Sequence, residues 1–186
     1  MMMYNADFLI AAVVILLLVL RNFLDQKRAE DLNSRIFLFF AVIGILDVIA
    51  ELVSNYYITS GDGDFGLAAV VTTTIFYLFQ ALLPYALLCY IMTLHDNKLI
   101  SVKKMLLAGL ATILLASIVL TNPFTENCLF DVSAGYVEGP WYRLMYYSAL
   151  FHLAVILILV ISWKKEFGPQ KIKVILDILD PVRMAG

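Results

Sequence analysis

Hydrophobic residues in this chain do not alternate with polar ones, nor do they recur every three or four positions. They come in long unbroken runs, separated by short polar segments. A run of roughly 20 apolar residues is what a helix needs to cross about 30 Å of hydrocarbon. Five segments meet that requirement: residues 8–24, 36–58, 67–94, 105–121 and 142–163. The third is the longest and holds Pro84, which predicts a bend and leaves the preceding turn a carbonyl without its helical donor.

The pattern predicts an all-α, polytopic membrane bundle of five transmembrane helices filling residues 1–165. A tail over 166–186 would lie on the cytosolic side. In that tail Ile172, Ile175, Leu176 and Leu179 share one helical face. The run is too short to span, so it reads as a surface helix or the start of a sixth helix. The leader has no basic residue, and basic residues follow the first run instead. That fits a retained helix rather than a cleaved signal peptide.

Composition strengthens the membrane reading. The chain of 186 residues is 62% hydrophobic and only 15% charged, against ~45–50% and ~25% in soluble domains. Its mean hydropathy is +0.89. A net charge of −2 and the lack of any basic tract argue against a nucleic-acid partner. Charge distribution is more informative. Arg21, Lys27, Arg28 and Arg35 flank the first connection, and Lys98, Lys103 and Lys104 the third. The tail holds Lys164, Lys165, Lys171 and Lys173, while the second and fourth connections have no lysine or arginine. The positive-inside rule then predicts the N-terminus out and the C-terminus in, within a plasma or bacterial inner membrane.

Several polar residues fall inside the apolar runs. Asp47 and Glu51 are four apart and share a helix face, with Asn55 continuing the stripe. Counting from the outer end places Asp47 roughly 16 Å deep and Glu51 about 10 Å. Intramembrane carboxyl groups are costly, so they are expected to face protein or a wet cavity and to serve a function. Gln80 and His152 come out at comparable depths, and Arg143 lies at the mouth of the fifth run. The expectation is an outward-opening polar cluster of Asp47, Glu51, Asn55, Gln80 and His152, with Arg143 nearby. Against it stands plain helix bridging by hydrogen bonds, the commoner fate of Gln80 and its neighbours Thr72, Thr73 and Thr74, and simple packing for a lone histidine.

The fourth connection is unusually long, and it reads equally as a lid or ligand-contacting loop, through Asn122, Glu126, Asp131 and Glu138, or as a long polar surface loop. Asp62 and Asp64 in the short second connection are too few for a calcium loop. Cys89 and Cys128 sit toward opposite sides and predict no internal disulfide. No phosphate-binding loop, nucleophile elbow, zinc-protease or dinucleotide motif occurs, so no catalytic residue, metal or cofactor is assigned and this chain is not expected to be an enzyme.

Three stretches carry a resemblance: "LNSRIFLFFAVIGILDVIAELVS", "IFYLFQALLPYALLCYIMTL", and "TNPFTENCLF" with "YVEGPWYRLMYYSALFHL". Together they resemble the N-terminal membrane sensor region of bacterial histidine kinases of the seven-transmembrane type and of diguanylate cyclases carrying GGDEF domains. The best marks are Asn122, Pro123, Tyr136, Gly139 and Pro140. The resemblance implies a sensory input module for an unknown small ligand on the outer side, with a second copy of itself or a cytosolic output domain as partner. It also implies two further helices and a cytosolic output domain, which the sequence after Lys165 does not contain. On this reading the chain is a fragment or remnant of such a protein. Two other functions fit the same residues: a small proton- or cation-coupled carrier using Asp47 and Glu51, and a structural partner in membrane assemblies.

Overall fold

A computed structural model of the chain describes residues 6–25, 32–59, 66–96, 102–125, 127–132 and 136–163. Five α-helices account for most of them: α1 (Ala6–Asp25), α2 (Leu32–Thr59), α3 (Gly66–Asp96), α4 (Val102–Thr121) and α5 (Arg143–Ser162). Each covers one of the apolar runs to within a few residues. Helices α2 to α5 are long and apolar enough to cross a membrane, whereas the apolar part of α1, Phe8–Leu24, is shorter. In lipid, only a helix or a closed barrel satisfies every backbone N–H and C=O from within, so apolar runs of this length become helices. The tail over 166–186, the segment with Asp62 and Asp64, and Glu126 lie outside the described residues.

Helix α3 is central and packs against α2, α4 and α5, while α1 packs on α2. Neighbouring helices α1 to α4 run antiparallel. Phe23 meets Phe37 with ring centroids 4.5 Å apart, and a Cβ on Gly44 would touch both Leu16 and Leu83. Helix α3 continues through Pro84 without a break. Gly109 brings α4 close to α3: a Cβ there would lie 3.1 Å from the ring of Tyr85.

Among the described residues two clusters form the core. At the loop end, Ala69, Tyr77, Ala81, Leu115, Val119, Leu129, Phe130 and Met145 pack together. At the other end, Leu88, Tyr90, Ile91 and Ile156 are buried with Phe37 and Trp163 against them. Between α4 and α5 the chain forms a 3-10 turn (Asn122–Phe124) and a minimal antiparallel hairpin, β1 (Phe130–Asp131) with β2 (Val137–Glu138).

Candidate functional site

Three contacts fix how α2 lies on α3. The hydroxyls of Ser54 and Thr73 hydrogen-bond across the interface at 2.7 Å. Gly44 faces Leu83, and Phe37 packs on Tyr90 with centroids 5.5 Å apart. All three fit one antiparallel register, in which Asp47 stands across from Gln80 and Glu51 across from Phe76. Pro84 has no N–H to offer the carbonyl of Gln80, so the level of Asp47 on both helices is rich in acceptors.

Asp47 is half-buried, and its Oδ1 is buried with no hydrogen-bond partner. A buried acceptor left unanswered costs about 1–3 kcal/mol. Asn55 does not prolong the stripe toward a ligand: its Nδ2 donates to the Glu51 carbonyl at 2.7 Å on its own helix. Thr72 and Thr74 likewise donate to the Ala68 and Val70 carbonyls, at 2.7 and 2.8 Å. Gln80 is exposed at the surface of α3.

His152 lies elsewhere. It is fully buried where α3, α4 and α5 meet. Its Nε2 is 3.1 Å from the Thr112 hydroxyl, its Nδ1 is 2.7 Å from the Ser148 carbonyl, and the ring of Tyr85 stands 6.4 Å away. A carbonyl only accepts, so Nδ1 carries a proton. Both ring nitrogens are engaged, and His152 bridges helices rather than joining Asp47. Equal depth along two helices says nothing about which side of α3 each faces, which is why counting residues grouped them.

The fourth connection is a structured cap, and Asn122 organises it. Its side chain is fully buried. Nδ2 donates to the Phe130 carbonyl at 2.9 Å, and Oδ1 accepts from the N–H of Leu129 at 2.7 Å. The Asn122 carbonyl accepts from Thr125 and Asn127, both at 3.2 Å. Asn127 adopts φ 54°, a left-handed conformation asparagine tolerates. Asn122 is therefore a staple within the cap rather than a ligand contact.

The cap holds Phe130 stacked on Tyr77, centroids 5.0 Å apart. The hydroxyl of Tyr77 hydrogen-bonds that of Tyr136, and Tyr142 meets Tyr77 edge-on at 6.2 Å while bonding the Tyr146 hydroxyl at 3.2 Å. Burial pushes the phenol of Tyr136 above its usual range, partly offset by the hydrogen bond to Tyr77. This aromatic network went unpredicted. Its one signal in the sequence is a phenol in the middle of an apolar run, at Tyr77, whose hydroxyl needs a partner once buried. The remaining loop acids, both in the hairpin, divide: Asp131 in β1 is half-buried and Glu138 in β2 is exposed.

Concave spaces lie among the described residues. One, of about 220 Å³, lies between α2, α3 and α5 and is walled by Phe40, Leu83, Pro84, Leu87, Ala149, Leu153 and Ile156. Every lining residue is apolar. Another, of about 330 Å³, opens beside the start of α5 and contains Arg143. Among the described residues no three His, Cys, Asp or Glu side chains gather as a metal-ligand set, and Cys89 and Cys128 are free thiols.

Comparison with protein-family models, with curated proteins and with solved structures finds no match.

Proposed function

We propose that this chain is a sensory or regulatory input module of the plasma membrane, crossing it five times with the N-terminus and the cap outside. The observation that carries the reading is the course of α3. One continuous helix holds Tyr77 in the aromatic network under the cap and Leu88, Tyr90 and Ile91 in the core cluster at the opposite end. A shift of the cap on α3 is thereby felt where Phe37 and Trp163 pack. Such a shift can be only as large as a ligand's difference in affinity for the two packings. The resemblance to the membrane regions of histidine kinases and diguanylate cyclases points the same way, and a kinase or cyclase output domain, or a second copy, would be the recipient.

Asp47 favours a second reading. Its unanswered Oδ1 suits a proton or cation in transit, as a carrier would require. The 220 Å³ cavity speaks against passage on that side of the bundle, because seven apolar walls offer an ion no ligand.

Proteoliposomes separate the two. The input module is expected to pass no more protons or Na⁺ than protein-free vesicles. In a Trp141→Phe background, Asp47→Asn is expected to change acrylamide quenching of Trp163, the remaining tryptophan. Flux that disappears in an Asp47→Asn, Glu51→Gln double variant, with Trp163 quenching unchanged, would replace sensing with carriage.

A further inference from the structure

The chain has thirteen lysines and arginines. None occurs in residues 1–20, 36–97, 105–142 or 144–163. Among the described residues Arg143 is thus the only lysine or arginine at the cap end of the bundle, and its surroundings are specific. It lines a cleft of about 330 Å³ with Pro140, Trp141, Leu144 and Tyr147. Trp141 is 51% exposed and Tyr147 59%.

The wall of this cleft is held by backbone. The Trp141 N–H donates to the Cys128 carbonyl at 2.9 Å, and the Tyr142 N–H to the Gly139 carbonyl at 3.2 Å. Gly139 has to be glycine here, since a Cβ would come within 2.3 Å of the Cys128 oxygen. The hairpin therefore presents Pro140 and Trp141 in a set place beside Arg143.

Below the cleft, the same side of α5 is exposed and apolar. Tyr147, Phe151 and Ile158 recur at helical spacing, 59%, 51% and 63% exposed. A cationic, aromatic-walled notch thus opens onto a greasy track. Guanidinium matches phosphate with paired N–H donors, and tryptophan and tyrosine rings settle at the headgroup level. Bulk acyl chains gain little by lying on α5 rather than on one another, so selectivity must arise at the headgroup.

We infer that the Arg143 cleft is a binding site for one anionic phospholipid of the leaflet facing the cap. Its phosphate meets the Arg143 guanidinium between Trp141 and Tyr147, and an acyl chain follows α5 past Phe151 and Ile158. The site stands apart from the Asp47 level and does not depend on whether the protein senses or carries.

Trp141 is its own reporter. In a Trp163→Phe background, the full chain is reconstituted in phosphatidylcholine vesicles doped in both leaflets with chain-brominated lipid. At equal mole fraction, brominated phosphatidylglycerol is expected to quench Trp141 with about threefold the effectiveness of brominated phosphatidylcholine, the worth of a partly screened charge pair. Arg143→Gln should equalise the two lipids, Arg143→Lys should keep part of the preference, and added salt should weaken it in the Arg143 protein, a readout that needs no variant at this position. Equal quenching by both lipids in the Arg143 protein, or an undiminished preference in Arg143→Gln, would overturn the site. Loss of the preference on adding inorganic phosphate, but not on adding chloride of equal ionic strength, would mean a free anion site instead.

Discussion

Asn122 and Asp47 are both polar side chains set among apolar neighbours, and they differ in how they are answered. Asn122 is fully buried and its amide has a backbone partner on each side. Asp47 keeps a buried Oδ1 with no partner. Where hydrogen bonds are complete, a buried polar group organises structure and removing it is costly. Where they are missing, the group itself costs stability, and its presence asks for a reason outside the fold.

The contrast is broken most severely at Asn122. Asn122→Ala strands the Leu129 N–H and the Phe130 carbonyl and is expected to destabilise the cap by about 2–4 kcal/mol. Hydrogen exchange at Leu129 and Phe130 measures it, and protection equal to the parent's would show that the staple is dispensable. Gly139→Ala comes next, at about 1–3 kcal/mol, because the new methyl meets the Cys128 carbonyl. A Trp141 emission shift should report the displaced hairpin.

Asp47→Leu tests the other half of the comparison, with opposite sign. Removing an unanswered acceptor should leave thermal stability unchanged or raise it by about 1 kcal/mol. A clear loss of stability would mean that Asp47 is a structural group like Asn122. The smallest effect concerns Tyr136. Tyr136→Phe loses one hydrogen bond, about 0.5–1 kcal/mol. Because the folded cap raises the Tyr136 phenol, its contribution is complete below the unfolded value of about 10 and is lost as pH rises through the folded value. Alkaline titration should therefore loosen the cap of the parent protein, with a weaker response in Tyr136→Phe.

How much of this was readable in advance follows from what each feature depends on. The helices depend on local composition, and the apolar runs mark them closely. Their mutual register does not, because helices that are apolar on all sides carry no stripe to say which face meets which neighbour. Asp47 and Glu51 stood out as costly, yet their depth alone grouped them with His152, which faces Thr112 and Tyr85 instead. Asn122 is legible in the sequence as a residue of an unusually long loop, but its role depends on Phe130 folding back over Tyr77. Tyr77 and Tyr136 are 59 positions apart, and no local pattern announces such a pairing.

Helix α3 has 31 residues and its neighbour α5 has 20. At ~1.5 Å per residue the longer rod measures roughly 46 Å, well beyond the ~30 Å of hydrocarbon that α5 matches. Lying side by side, they cannot both fit the same slab upright, so α3 must lean or stand proud. Thinning or thickening the bilayer would change that lean. In a bilayer, the difference in length would tie the tilt of α3, on which Phe130 of the cap is stacked, to the thickness of the surrounding hydrocarbon.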